Sequence, residues 1–550
     1  MSLSNHKNLK LYEKLIKTGI KKANNKDFTS AEEDFSKAIK LDNRNQIAHI
    51  NLSNIYIIQK KINKAVKILM DYIYKYNNNE MILNYTAKFL YTYNLKDDLL
   101  KLFHQTKINL KKNNNKNYYL YFIQGLYLEK EENYQSAKES FLKSISYNTT
   151  YFEGYLKLLN LYEQTNEFKK LNKLIKKAFD NFFNQDKICI LLFYKSLLLS
   201  RENKFKDSQK IIIENNLRIE LQNSKNFFYK LLDLEAKNNE KLKNYKLAFQ
   251  NINERNNILL NLNENKNFDG KNIYNSIEKY KIFFTRSNLE KINSKINYQN
   301  DENLVFLIGF PRSGTTLLDS ILRSHSEITV LEEKPYLLNL RHDFFKQNDN
   351  NLSSLLNITQ DIRDKIRNEY FKKIFSQISK NKRIIVDKFP LTIIELGFVK
   401  CIFPNAKIIL AMRHPCDVVT SCFFSSFKIN DAMVNFLSWS STIQFYNKVF
   451  DLFEFYSNEM NLNFLTIKYE DLIINFKNNV QKMTKYIGLE YESNMENFYI
   501  TAKNRSRIST PSYTQVINPL YTTSINRWKN YPNTNETQKK LNKWIKKFNY

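Results

Sequence analysis

No proline occurs before Pro311 in this chain of 550 residues, and its three tryptophans also lie beyond residue 300. Proline breaks helices because it lacks a backbone N–H and its ring clashes with the preceding turn. So long a proline-free stretch, rich in Lys, Leu, Ile, Glu and Asn, predicts an uninterrupted series of helices. Cysteine is scarce as well. Cys189, Cys401, Cys416 and Cys422 have no CxxC spacing, which disfavours a redox motif or a cysteine-built zinc site and predicts reduced, mostly buried thiols. The six histidines are scattered, so no metal cluster is expected. No apolar run approaches the ~18 residues a spanning helix needs. The first residues, MSLSNHKNLKLYEKLIKTG, are charged every few positions and lack the apolar core of a signal peptide. A soluble, cytoplasmic protein is the expectation.

Positive charge is plentiful. The formal net charge is +30, which suits anionic partners: nucleotide phosphates, nucleic acid, acidic peptides or sulfated glycans. An AT-rich coding sequence would also produce this abundance of Lys, Asn and Ile beside only 8 Gly and 8 Pro, so charge alone assigns no partner. Hydrophobic residues at 42% supply packed interiors, and the length calls for two or more domains.

The eight prolines mark the division. Beyond residue 300, short β-branched runs (LVFLI, RIIV, AKIILAM, NFLTI) alternate with turns and amphipathic stretches, the pattern of a parallel α/β sheet. The helical part repeats internally. Ala31, Phe35 and Ala38 follow Gly19 at offsets of 12, 16 and 19, and Ala137, Phe141 and Ser144 follow Gly125 at the same offsets. Ser53, Tyr56, Ala65 and Leu69 form the next unit, and Leu159, Tyr162, Ala178, Ser196, Ser208 and Ile212 mark later ones. A 34-residue period with small residues at helix crossings is the tetratricopeptide (TPR) pattern, and 228–257 reads as a further degenerate unit. The expected architecture is an all-α TPR superhelix of about five to seven helix pairs over 1–260, followed by an α/β domain over 301–550. The polar, Asn-rich segment 261–300 is expected to serve as a linker or helical connection, or to pack loosely against both parts.

The strongest local signal is LVFLIGFPRSGTTLLDSILRSH (304–325). Strand, glycine-bearing loop and helix N-terminus aim backbone N–H groups and a positive dipole end at an anion. Gly314 permits close approach, and Ser313, Thr315 and Thr316 add hydroxyls. From Gly309 to Thr316 the loop nearly fits the Walker A pattern, but Thr315 stands at the lysine position, which counts against ATP chemistry. The loop's cation is Arg312.

PRSGTT followed by an amphipathic helix resembles the 5′-phosphosulfate loop of sulfotransferases, most closely the protein-tyrosine sulfotransferase branch, including proteins that fuse TPR repeats to such a domain. The resemblance implies a P-loop-like parallel sheet (the sulfotransferase fold) that binds 3′-phosphoadenosine-5′-phosphosulfate and uses no metal. It implies that Glu333 is the general base and Lys388 stabilises the transferring group. Arg312, Ser313, Gly314, Thr315 and Thr316 would hold the 5′-phosphosulfate. Arg413 and Ser421, in RHPCDVVTS, match the family's 3′-phosphate site. Tyr469 would lie near the adenosine, while Ser512 and Arg527 match donor contacts in a C-terminal flap. The sequence departs from the pattern at Ser425, where the family has a second arginine. An acceptor that is a peptide or protein, and protein contacts made by the TPR array, are the implied partners; no nucleic acid and no membrane span is implied. Two other readings remain open: a P-loop phosphotransferase, with Asp387 holding Mg²⁺, and a TPR scaffold whose nucleotide-binding domain is not catalytic.

Overall fold

A computed structural model describes residues 3–76, 80–106, 116–262, 267–294, 303–376, 383–503, 516, 518–520 and 524–550, with side chains from residue 8 onward. The chain divides into two compact units, Met1–Leu198 and Leu199–Tyr550.

The first unit is helical throughout its described residues. Successive helices pair in hairpins: α1 (Leu3–Asn24) with α2 (Phe28–Leu41), α3 (Gln46–Ile58) with α4 (Ile62–Lys75), and α5 (Glu80–Thr92) with α6 (Lys96–Gln105). Then come α7 (Tyr118–Lys130) with α8 (Tyr134–Tyr147), and α9 (Phe152–Gln164) with α10 (Phe168–Phe179). Helix α11 (Gln185–Arg201) carries the chain across the division.

The repeat positions read from the sequence are the hairpins' crossing points. Ala31, Ala38, Ser53, Ala65, Ala137, Ser144 and Ala178 are all fully buried. The glycines serve the same packing. A Cβ built on Gly125 would lie 2.5 Å from the ring of Phe141, and one on Gly19 would lie 2.7 Å from Phe35. These two repeats therefore trade a glycine on one helix for a phenylalanine on the next.

The second unit opens with α12 (Phe205–Glu214), the single turn α13 (Leu217–Glu220), and the hairpin of α14 (Lys225–Lys241) and α15 (Tyr245–Asn261). The segment expected to link the two parts forms α16 (Gly270–Phe283) and α17 (Arg286–Asn293). Ile277, Tyr280, Phe283, Phe284, Leu289 and Ile292 are buried in the main core of this unit, so α16 and α17 belong to it. Polar composition hides an apolar stripe at helical spacing.

Five parallel strands follow: β1 (Leu304–Gly309), β2 (Ile328–Glu332), β3 (Ile384–Lys388), β4 (Lys407–Met412) and β5 (Leu465–Lys468). Their order in the sheet is β2-β3-β1-β4-β5. Alternate residues enter two different cores. Val305, Leu307, Ile384, Val386, Ile409 and Ala411 pack on one face with α18 (Thr315–Arg323) and later helices. Leu304, Phe306, Ile308, Ile385, Ile408 and Leu410 pack on the other. That second face is covered by α16, α17, α19 (Tyr336–Lys346), α20 (Gln360–Phe375), α21 (Leu396–Ile402), α22 (Pro415–Phe423) and α23 (Trp439–Met460). Burial on both faces explains why the strands read as unbroken apolar runs. The chain ends through α24 (Tyr469–Ile474), α25 (Phe476–Ile487), α26 (Phe498–Lys503) and α27 (Thr534–Lys547).

All four cysteines are buried, and none of them forms a disulfide. Burial pushes the thiols of Cys401 and Cys416 up to about 12, so they act as small apolar fillers. Among the described residues no helix is long and apolar enough to cross a membrane.

Gly→Ala within an ordinary helix stabilises by about 0.5–1 kcal/mol. Gly125→Ala is expected to do the reverse, because the methyl must displace the Phe141 ring, at a cost of about 1–3 kcal/mol. Urea unfolding of the two proteins, followed by far-ultraviolet circular dichroism, measures the sign.

Candidate functional site

The C-terminal ends of the parallel strands share one edge of the sheet, where α/β folds hold ligands. β1 delivers the loop 310–314 to that edge. Arg312 and Gly314 both have positive φ, 70° and 99°, and Gly314 is the N-cap of α18. A side chain at Gly314 would meet Tyr469, its Cβ lying 3.1 Å from the ring, so both the conformation and the close approach require glycine. The turn places the N-terminus of α18, with the positive end of its dipole, at this edge. Arg312, Gly314, Thr315, Thr316, Arg413, Tyr469 and Ser524 line one cavity there, together with Phe498, Val516 and Leu520. Ser313 is buried beside them.

β4 and α22 build the next part of the site. Arg413 follows β4, and Ser421 lies on α22. Arg312 Nε donates to Ser421 Oγ at 3.0 Å, and Arg413 Nη1 reaches the Arg312 carbonyl at 3.4 Å. The guanidinium of Arg413 also lies over the Tyr469 ring, 5.0 Å from its centroid. The structure thus brings together Arg312, Arg413, Ser421 and Tyr469, which are far apart in the chain. Ser425 donates from its hydroxyl to the Ser421 carbonyl at 2.7 Å.

The catalytic candidates meet at the ends of β2 and β3. Lys388 is fully buried, and its Nζ lies 2.9 Å from Glu333 Oε1, 3.6 Å from Glu332 Oε1 and 4.0 Å from Asp319 Oδ2. Asp319, on α18, also accepts from Arg323 Nε at 2.9 Å. Three carboxylates therefore face two cations. Glu333 has positive φ, 48°, while its N–H donates to the Lys388 carbonyl at 2.8 Å. An unfavourable backbone conformation held by a ladder bond is typical of a site residue. The Glu333 side chain is 34% exposed, so an incoming group can reach it without displacing the core.

Ser512 lies outside the described residues. Arg527 points to α14, where Nε and Nη2 grip both carboxylate oxygens of Glu240. Burial opposes its charge, but the Glu240 carboxylate outweighs burial and raises its pKa.

Sequence reasoning missed three site residues. Ser524 covers the cavity: its carbonyl accepts from Arg413 Nη2 at 2.6 Å, and its hydroxyl bonds to Tyr469 OH at 2.6 Å. Asp417 holds the chain that follows, accepting from the N–H groups of Asn526 and Trp528 at 2.8 and 2.9 Å. Its place between Arg413 and Ser421 was a signal that could have been used. Asp319 lacked any such signal, because nothing in an amphipathic helix shows which carboxylate turns inward.

Among the described residues no group of three or more His, Cys, Asp and Glu could hold a metal ion. Asp387 would have to face the loop to bind Mg²⁺ there. It points to the opposite side of the sheet from Lys388, where Tyr370 on α20 donates to it at 2.5 Å.

Residues 305–493 match the model of the sulfotransferase family, and this part of the chain is a sulfotransferase-family domain. Protein-tyrosine sulfotransferase A of Caenorhabditis elegans is 24% identical over 251 residues, 44% of this chain and 64% of that protein. An uncharacterized protein of Aquifex aeolicus is 25% identical over 310 residues, 53% of this chain and 38% of its own length. The chain thus spans less than two thirds of either relative. Among solved structures, the sulfotransferase domain of a Synechococcus olefin synthase is 18% identical, covers 46% of this chain and 98% of its own, and has a TM-score of 0.33. A tetratricopeptide repeat protein from Parabacteroides merdae covers 46% and 94% at 18% identity, with a TM-score of 0.30.

Burial raises the carboxyl pKa of Asp387 to about 6, well above its unfolded value of 3.8. The folded protein then holds this proton more tightly than the unfolded chain. The resulting stability is complete below the unfolded pKa and is lost as pH rises through about 6. Asp387→Asn keeps an acceptor for Tyr370 and removes the titration, so its unfolding midpoint should fall less than that of the parent between pH 4 and pH 6.5. Denaturant titrations across that range measure the difference.

Proposed function

We propose that the chain transfers a sulfuryl group from 3′-phosphoadenosine-5′-phosphosulfate to an acceptor hydroxyl, with tyrosine in a peptide or protein as the acceptor. One observation carries the reading. Glu333 and the buried Lys388 are paired at the sheet edge, beside a phosphate loop that has Thr315 where ATP chemistry needs lysine.

Sulfuryl transfer to a hydroxyl has three requirements: the acceptor proton must leave, charge on the sulfuryl oxygens must be answered, and the departing phosphate must be stabilised. Glu333 accepts the proton from the acceptor hydroxyl, whose oxygen attacks sulfur. The bond from sulfur to the bridging oxygen of the 5′-phosphate breaks, and its electron pair stays on that phosphate. Lys388, Arg312 and the N–H groups at the start of α18 face this charge. Arg413 and Ser421 take the 3′-phosphate, Arg413 exchanging the Ser524 carbonyl for it, and Tyr469 lies against the adenosine. Ser512 is assigned to the leaving phosphate by resemblance to the family flap. Each charge that changes has a side chain to meet it, so the scheme uses no metal. The product is 3′,5′-adenosine bisphosphate.

A protein acceptor is supported by the names of the relatives and by a helical-repeat unit of the kind that binds peptides. A reducing compartment such as the cytoplasm suits four buried thiols that form no disulfide.

Glu333→Ala is expected to lower kcat by about 10²–10⁴ while donor affinity stays within about threefold of the parent. Transfer of radiolabelled sulfate to tyrosine-containing peptides, with donor binding measured in parallel, tests this. Undiminished turnover in the variant removes Glu333 from the role of base.

A further inference from the structure

Two arginine networks join the α14–α15 hairpin to the donor-binding elements of the same compact unit. The first centres on Arg255 of α15. Its side chain is fully buried, and its guanidinium reaches the carbonyls that end α22: Phe423 at 2.9 Å, Phe424 at 3.1 Å and Ser425 at 3.5 Å. The last carbonyls of any helix lack partners and carry the negative end of its dipole, so a cation there stabilises the helix. Asp233 and Asn256 occupy other donors of Arg255 and offset the cost of burying its charge. The helix it caps presents Ser421, whose own carbonyl is bonded by Ser425.

The second network is the bidentate pair of Glu240, on α14, with Arg527. Burial disfavours the Glu240 carboxylate, but the Arg527 charge outweighs it and keeps its pKa low. Arg527 stacks over Phe424 at 4.9 Å and lies within the segment that Asp417 holds at Asn526 and Trp528, just after Ser524, which bonds to Arg413 and Tyr469. Ala236, Ala248, Phe249 and Ile252 of the hairpin pack with Phe423 and Tyr531 between the two networks.

We propose that the α14–α15 hairpin is a working part of the donor site, with Arg255 and Glu240 as positioning residues: Arg255 fixes the helix that presents Ser421, and Glu240 holds Arg527 and the Ser524 segment over Arg413 and Tyr469. The inference rests on the sulfotransferase reading above. It gives Arg527 the work of a tether in place of a direct contact with the donor. It also makes residues well before the family-matched segment necessary for donor binding.

The test uses the full chain and titrates 3′,5′-adenosine bisphosphate into the parent, Glu240→Gln, Arg255→Gln, Arg527→Glu and the exchanged pair Glu240→Arg with Arg527→Glu. Glu240→Gln and Arg255→Gln are expected to weaken binding and raise the donor KM about tenfold or more, with kcat at saturating donor changed less than about threefold. The exchanged pair should recover most of the affinity that Arg527→Glu alone loses. If Arg255→Gln fails to fold, Glu240→Gln and the exchanged pair still decide the matter. Parental affinity in Glu240→Gln overturns the inference, as does an exchanged pair no better than Arg527→Glu. Failure of the parent itself to bind the bisphosphate is a different result: it removes the sulfotransferase reading, and the inference with it.

Discussion

A fully buried ammonium group is costly unless anions surround it, and Lys388 is such a group. Its demand for partners ties three elements together. β3 supplies the lysine, β2 ends in Glu332 and Glu333, and α18 turns Asp319 inward. The same α18 begins at the loop 310–314, so the charge cluster and the helix N-terminus share one element. A protein that needed only a core here would gain by replacing the ion cluster with apolar side chains. Keeping a lysine at the end of a central strand, next to a glutamate with a left-handed backbone, makes sense if both act on something that binds at the edge.

Much of this was legible in the residues. The repeat offsets from Gly19 and Gly125 name the helix crossings because a close approach of two backbones demands small residues, and the period carries that demand through the chain. The turn 310–314 into a helix N-terminus was legible because Gly314 and the hydroxyls around it form a local motif. Glu333 and Lys388 lie 55 residues apart, yet each ends a β-run, and parallel strands bring their ends to one edge. Tyr469 and Arg413 follow the same rule.

Other features had no local signature. Glu240 and Arg527 are 287 residues apart, and one of the pair sits in a stretch whose pattern reads only as helix. Arg255 is indistinguishable in sequence from the solvated basic residues of a strongly charged chain, although it is fully buried. The segment 261–300 reads as a linker or helical connection because Asn and Lys dominate its composition, while the apolar side chains that bury α16 and α17 are spread at helical spacing among them. The family motif leads to Arg527, but the orientation of its side chain depends on a carboxylate from a helix the motif does not include.

The central claim is that this sheet edge is built for an adenosine 3′,5′-bisphosphate group and not for a nucleoside triphosphate. Calorimetric titration of the intact protein with 3′,5′-adenosine bisphosphate, set against ATP with Mg²⁺, addresses it most directly. The account predicts saturable binding of the bisphosphate with one site per chain, and no comparable heat from ATP–Mg²⁺. Binding of ATP–Mg²⁺ with no response to the bisphosphate would contradict it and return the loop to phosphoryl chemistry.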